Sequence, residues 1–91
     1  MIIIDQEYWK VIANHIRILR SKRGFSTYKL ESMSGVDAST IESIEKGQSK
    51  NPTIQTLHKI AIGFNMTIAE FLDFPELNEY SFDDTSKDED D

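Results

Sequence analysis

The run Ser34-Gly35-Val36-Asp37-Ala38-Ser39-Thr40-Ile41-Glu42-Ser43-Ile44-Glu45-Lys46-Gly47 decides the fold. Gly35-Val36-Asp37 reads as a three-residue turn between two short helices. Glycine allows a left-handed backbone at the bend, valine plugs the angle between the helices, and aspartate caps the helix that follows. Upstream, Ser26 caps the first of these helices, in which Leu30 and Met33 face inward. Downstream, Ile41 and Ile44 form the buried pair of the second, and Gly47 stops it. A turn of this kind sets the second helix across the first, so that it projects and can enter a major groove. A plain helical hairpin inside a bundle would carry the same turn, and the turn alone leaves both readings open.

Outward from this centre the chain remains helical. Asp5 is a good N-cap, with Ile4 before it and Trp9 after it at the spacing of a hydrophobic staple. Trp9, Ile12, Ile16 and Leu19 recur at intervals of three and four, and Arg20, Lys22 and Arg23 precede the stop at Gly24. Beyond the turn, Asn51-Pro52 resets the chain. Thr53 then caps a fourth helix, whose inner side carries Ile54, Leu57, Ile60, Ala61 and Phe64. Thr67-Ile68-Ala69-Glu70 has the capping-box pattern and opens a fifth helix with Ile68, Phe71 and Leu72 inward. Pro75 interrupts the pattern, although Leu77, Tyr80 and Phe82 follow it. No alternation long enough for a strand and no internal repeat is present.

Ninety-one residues suit one domain with one core. The absence of cysteine excludes a disulfide framework and a Cys-based zinc site. His15 and His58 stand far apart without ligand-like neighbours and read as partly exposed helix histidines, so no metal is expected. No stretch is apolar for long enough to span a bilayer, and Met1–Ile4 is too short for a signal peptide, which points to the cytoplasm. No nucleophile–base set, phosphate-cradling glycine loop or metal cluster can be found, so neither an enzyme nor a cofactor is expected. The formal net charge is −6, yet residues 1–72 carry nine Lys/Arg against seven Asp/Glu. The acidity lies in residues 73–91, with one lysine against nine acids. A mildly basic body is compatible with DNA contact.

The wider spacing is more specific. Ile16, Leu19-Arg20, Gly24-Phe25-Ser26, Leu30, Ser34-Gly35-Val36-Asp37, Thr40-Ile41, Ile44-Glu45-Lys46-Gly47, Asn51-Pro52-Thr53, Thr56-Leu57 and Ile60-Ala61 together resemble the Cro/C1 repressor family, also called the Xre family. The resemblance covers roughly residues 10–72 without a gap. It implies an all-α, five-helix lambda-repressor-like domain in which helices 2 and 3 form a helix-turn-helix. Residues 1–74 would be that DNA-binding domain, 75–82 an extension available for a dimer contact, and 83–91 an acidic disordered tail. The implied function is sequence-specific binding of double-stranded DNA as a transcriptional regulator, with a repressor expected. The family usually binds as a symmetric homodimer with helix 38–46 in the major groove. The alternative is a protein-interaction module on the same fold, such as an antitoxin or an anti-repressor, with a protein partner.

Residue by residue, the resemblance puts Ser26 and Thr27 where family members bind a DNA phosphate, at a helix N-terminus suited to an anion. It puts Ala38, Ser39, Glu42 and Ser43 on the face that reads base edges, and Lys46, Gln48, Lys50 and Asn51 in the loop laid along the backbone. Arg20 and Glu45 match an internal salt bridge and are read as structural. Two positions depart from the pattern. Glu31 stands where alanine is usual, and its carboxylate is expected to escape to solvent over its packed methylenes. The reading face also lacks arginine, asparagine and glutamine, the side chains that pair bidentately with purines. Ala38 is left to touch a thymine methyl, Ser39 and Ser43 to make single hydrogen bonds, and Glu42 to accept from a cytosine amino group. Such a face discriminates modestly and relies on DNA shape or dimer spacing. Ile2, Ile3 and Ile4 at one end, and Phe74, Leu77, Tyr80 and Phe82 at the other, are the apolar candidates for a dimer interface. The acidic tail reads as a solubilising end or as a competitor that visits the basic DNA face.

Overall fold

Local capping chemistry sets most of the helix boundaries in the computed structural model, which describes residues 4–82 and the side chains of residues 8–82. Ile2, Ile3, the Ile4 side chain and the acidic tail 83–91 lie outside the described residues. The helices are α1 (Ile4–Arg23), α2 (Thr27–Ser34), α3 (Ala38–Lys46), α4 (Ile54–Gly63), α5 (Ile68–Leu72) and α6 (Pro75–Asn78). No described residue is in a strand. Ser26 Oγ accepts from Lys29 N at 3.0 Å and Thr53 Oγ1 accepts from Thr56 N at 3.1 Å, as their cap positions require. Thr67 and Glu70 form the complete capping box, with Glu70 N donating to Thr67 Oγ1 and Thr67 N to Glu70 Oε1.

Three sequence expectations about ends need correction. Asp5 lies inside α1 instead of capping it. Asp37 stands at the N-cap of α3 but makes no side-chain cap bond; the Ala38 amide donates instead to Glu31 Oε1 at 3.1 Å. The Glu31 carboxylate therefore does not escape to solvent. It crosses the interhelix angle and satisfies the positive end of α3 from the neighbouring helix, where an anion is favoured. Pro75 does not merely interrupt the chain. It occupies the first turn of a sixth helix, where its missing N–H costs no hydrogen bond.

The core is built where α1, α2, α3, α4 and α5 converge, with Ile16, Leu30, Ile41, Ile60, Phe64 and Phe71 fully buried. Helix α2 packs on α3 and α4, α1 on α3, and α4 on α5. At the α2–α4 crossing Gly63 allows close approach. A Cβ there would lie 2.7 Å from Ser34 Cβ and 3.1 Å from Leu30 Cδ1. That contact turns the Leu30/Ser34 edge of α2 inward, and Met33, expected in the core, is left 48% exposed. Ile54, also expected inside, is 62% exposed because it is the first residue of α4 and projects beyond the helices that cover Leu57.

The segment after α5 folds back on α1. Phe74 is buried and its ring stacks on His15 at a centroid distance of 3.6 Å, so it belongs to the monomer core and is not available for a dimer interface. Leu77 packs partly buried against the same core. Tyr80 and Phe82 each bring their rings to 4.9 Å from Tyr8. His15 is half-buried, and its Nε2–H donates to the Phe71 carbonyl at 2.9 Å. Burial pushes its pKa below the ordinary histidine value, against the smaller opposing effects of that bond and of Glu76, while Lys22 lowers it further. A base whose folded pKa is depressed adds stability above its unfolded pKa, and that stability is lost as the pH falls below the ordinary histidine value toward the folded one. Urea midpoints of the wild type should therefore drop more between pH 7.5 and 5.5 than those of His15→Gln, which keeps a donor for the Phe71 carbonyl but cannot titrate. Equal drops in the two proteins would show that His15 does not carry this dependence.

Candidate DNA-binding interface

The angle between α2 and α3 is made by three consecutive residues. Gly35 has φ 81° and its N–H donates to Glu31 O at 2.8 Å, closing α2 in the left-handed conformation that glycine accepts without cost. Val36 is buried between the helices, and its N–H donates to Ser34 Oγ at 3.1 Å. Helix α3 then runs across α2 with Ile41 and Ile44 inward.

The inner side of α3 is fastened to α1. Arg20 Nε donates to Glu45 Oε2 at 2.8 Å and Arg20 Nη2 to Glu45 Oε1 at 2.9 Å, a two-pronged pair. Arg20 Nη1 also donates to the Phe25 carbonyl at 2.9 Å. Glu45 is buried, and the hydrogen bond from Arg20 to its carboxylate holds the guanidinium pKa above its ordinary value, with desolvation opposing. Arg17, not singled out in the sequence, donates to the Glu45 carbonyl at 2.6 Å and to Asn14 Oδ1 at 2.7 Å. Its place one turn before Arg20, on the same side of α1, was the available signal. A cation at that carbonyl also suits the negative end of α3.

On the outer side, Ser39, Thr40 and Lys46 are exposed, and Glu42 and Ser43 are half-buried. Ala38 is not on this outer face: it is 5% exposed, because the carboxylate of Glu31 and the turn close over the first residue of α3. The expected thymine-methyl contact from Ala38 is thus removed. Thr27 Oγ1 donates to Glu42 Oε2 at 2.9 Å, linking the first residue of α2 to the second turn of α3. Ser43 Oγ donates to Gln48 Oε1 at 3.3 Å, joining the outer side of α3 to the loop after Gly47. Lys46, Gln48, Lys50 and Asn51 are all exposed around that loop, and Ser26 is exposed at the start of α2. Tyr28, 73% exposed on α2 beside Ser26 and Thr27, was not recognised in the sequence. It sits two residues before the buried Leu30, and so on the opposite face of α2, which was the available sign.

The described helices include none long and apolar enough to cross a membrane. Two short helices joined at a glycine turn, the second carrying polar side chains outward and braced from behind by α1, define a helix-turn-helix domain. The profile of the Cro/C1-type HTH DNA-binding domain matches residues 15–76, and the chain belongs to that family. It is 33% identical over 67 residues to the HTH-type transcriptional regulator SutR of Escherichia coli (strain K12), covering 74% of this chain and 37% of that protein. It is 31% identical over 70 residues to the HTH-type transcriptional regulator SinR of Bacillus subtilis (strain 168), covering 77% of this chain and 63% of that protein. The crystal structure of an HTH_3 family transcriptional regulator from Vibrio cholerae superposes with a TM-score of 0.70 at 37% identity, covering 88% of this chain and 46% of that one. The chain spans less than two thirds of each of these proteins.

Proposed function

We propose that the protein is a sequence-specific double-stranded DNA-binding transcriptional regulator, acting as a repressor in the cytoplasm. Two copies would place their α3 helices in successive major grooves on one face of the duplex, about 34 Å apart. The observation that carries this reading is the polar outer strip of α3, Ser39, Glu42 and Ser43, flanked by Ser26 on one side and by the exposed Lys46, Gln48, Lys50 and Asn51 on the other. Base-edge readers in the centre and phosphate contacts on both sides are the division of labour that DNA recognition needs. With Phe74 in the core, the homodimer we propose would use the surface of α5 and the segment after it, where Phe82 is 54% exposed. A serine and glutamate face discriminates modestly, so pairing of two half-sites supplies much of the specificity.

Binding-site selection at two salt concentrations tests the proposal, because it reads affinity, sequence preference and half-site spacing together. Lys50→Ala should weaken binding to all sequences about equally and reduce the salt slope by about one. Ser43→Ala should act mainly on the preferred sites. Identical behaviour of the two variants would show that the reading face lies elsewhere. Absence of salt-dependent DNA binding, with stoichiometric co-purification of another protein, would favour a protein-interaction module instead.

A further inference from the structure

Glu42 and Thr27 form one unit across the two helices of the motif, and we propose that this unit is a pre-set acceptor that selects cytosine in the major groove. The inference rests on the DNA-binding reading above and adds the base and the residue that orients its reader. A glutamate on an exposed helix face normally samples several rotamers, and holding one on binding costs conformational entropy. Here the Thr27 hydroxyl, at the N-terminus of α2, donates to Glu42 Oε2 at 2.9 Å, and Glu42 is half-buried. With Oε2 held by Thr27, Oε1 is the oxygen left to meet a base edge.

The chemistry of the groove then chooses the base. An ionised carboxylate only accepts hydrogen bonds. Guanine offers N7 and O6 and thymine offers O4, all acceptors that repel it. Adenine offers its N6 amino group, but beside the acceptor N7, which opposes the second carboxylate oxygen. Cytosine offers its N4 amino group with no acceptor of its own in the groove, and so it is the best match. Thr27 acts as a positioning residue. Its hydroxyl proton is committed to Glu42 and is not donated to a phosphate, which separates its role from that of Ser26.

The test is binding-site selection with the full chain as wild type, Glu42→Gln, Thr27→Val and Thr27→Ser, with thermal midpoints measured alongside. The wild type should select cytosine at one position of each half-site by about tenfold over other bases. Glu42→Gln should move the preference at that position toward adenine, which a glutamine amide pairs through N6 and N7. Thr27→Val should flatten the preference at that position, and Thr27→Ser should keep it. A site selected without cytosine dependence, or one unchanged in Glu42→Gln and Thr27→Val, overturns this assignment and leaves the DNA-binding function standing. A wild type that enriches no sequence overturns both.

Discussion

Glu45→Ala should lower the free energy of unfolding by roughly 3 kcal/mol, seen as a lower urea midpoint with an unchanged denaturant slope. The Glu45 side chain is 8% exposed and that of Arg20 20% exposed, so neither charge is well solvated once its partner is gone. Truncation removes two charge-assisted hydrogen bonds and leaves the guanidinium with the Phe25 carbonyl as its remaining described partner on that side. Because the pair is not fully enclosed, the expected cost lies toward the low end for broken buried pairs. Glu45→Gln should lose less, since an amide still offers one acceptor. Replacing both members together, Arg20→Met with Glu45→Leu, should recover much of the loss, because no charge is then stranded. A loss below about 1 kcal/mol in Glu45→Ala would mean that solvent reaches the pair freely and that α3 is held by its apolar side alone.

Gly47→Ala carries the second large effect, and two causes act at once. The backbone at Gly47 has φ 82°, and its N–H donates to the carbonyls of Ile44 and Ser43 to close α3. An alanine in that left-handed conformation costs about 1–2 kcal/mol. Its Cβ would also fall 2.6 Å from Trp9 Cη2 and 2.7 Å from Cζ2, inside the contact limit of a rigid indole. Together these should lower the thermal midpoint by roughly 10 °C in a domain of this size. Trp9→Leu in the Gly47→Ala background removes the ring and should return the steric part but not the backbone part. Gly47→Ala should also shift the adjoining loop, in which Gln48 and Lys50 are exposed, so its DNA affinity should fall even at temperatures where it is folded. A midpoint within 2 °C of wild type would show that Trp9 yields without cost.

Much of the architecture was legible in the chain because it is local. Ser26, Thr53 and Thr67 each bond an amide three residues on, and Gly35 closes a turn with Glu31 four residues back. Such bonds depend on residues a few positions apart, so their signals survive in a one-dimensional reading. The periodic apolar positions Ile12, Ile16, Leu57, Ile60 and Phe71 were equally visible, and all are buried. Met33 and Ile54 obeyed the same periodicity yet stand in solvent, because the contact of Gly63 with Ser34 and the end of α4 decide which edge is covered.

The recognition region divides along the same line. The sequence by itself determined where α3 begins and ends, which side of it is apolar, and, through the family pattern, that Arg20 and Glu45 belong together. Only the tertiary structure decided the fate of its polar groups. Glu31 turns inward to cap α3, Ala38 is covered, Thr27 is tied to Glu42, and Phe74 stacks on His15 in the monomer core. Each of those outcomes joins residues on different helices. A carboxylate or a hydroxyl takes whichever donor or acceptor the packing brings within about 3 Å, and spacing along the chain does not encode that choice.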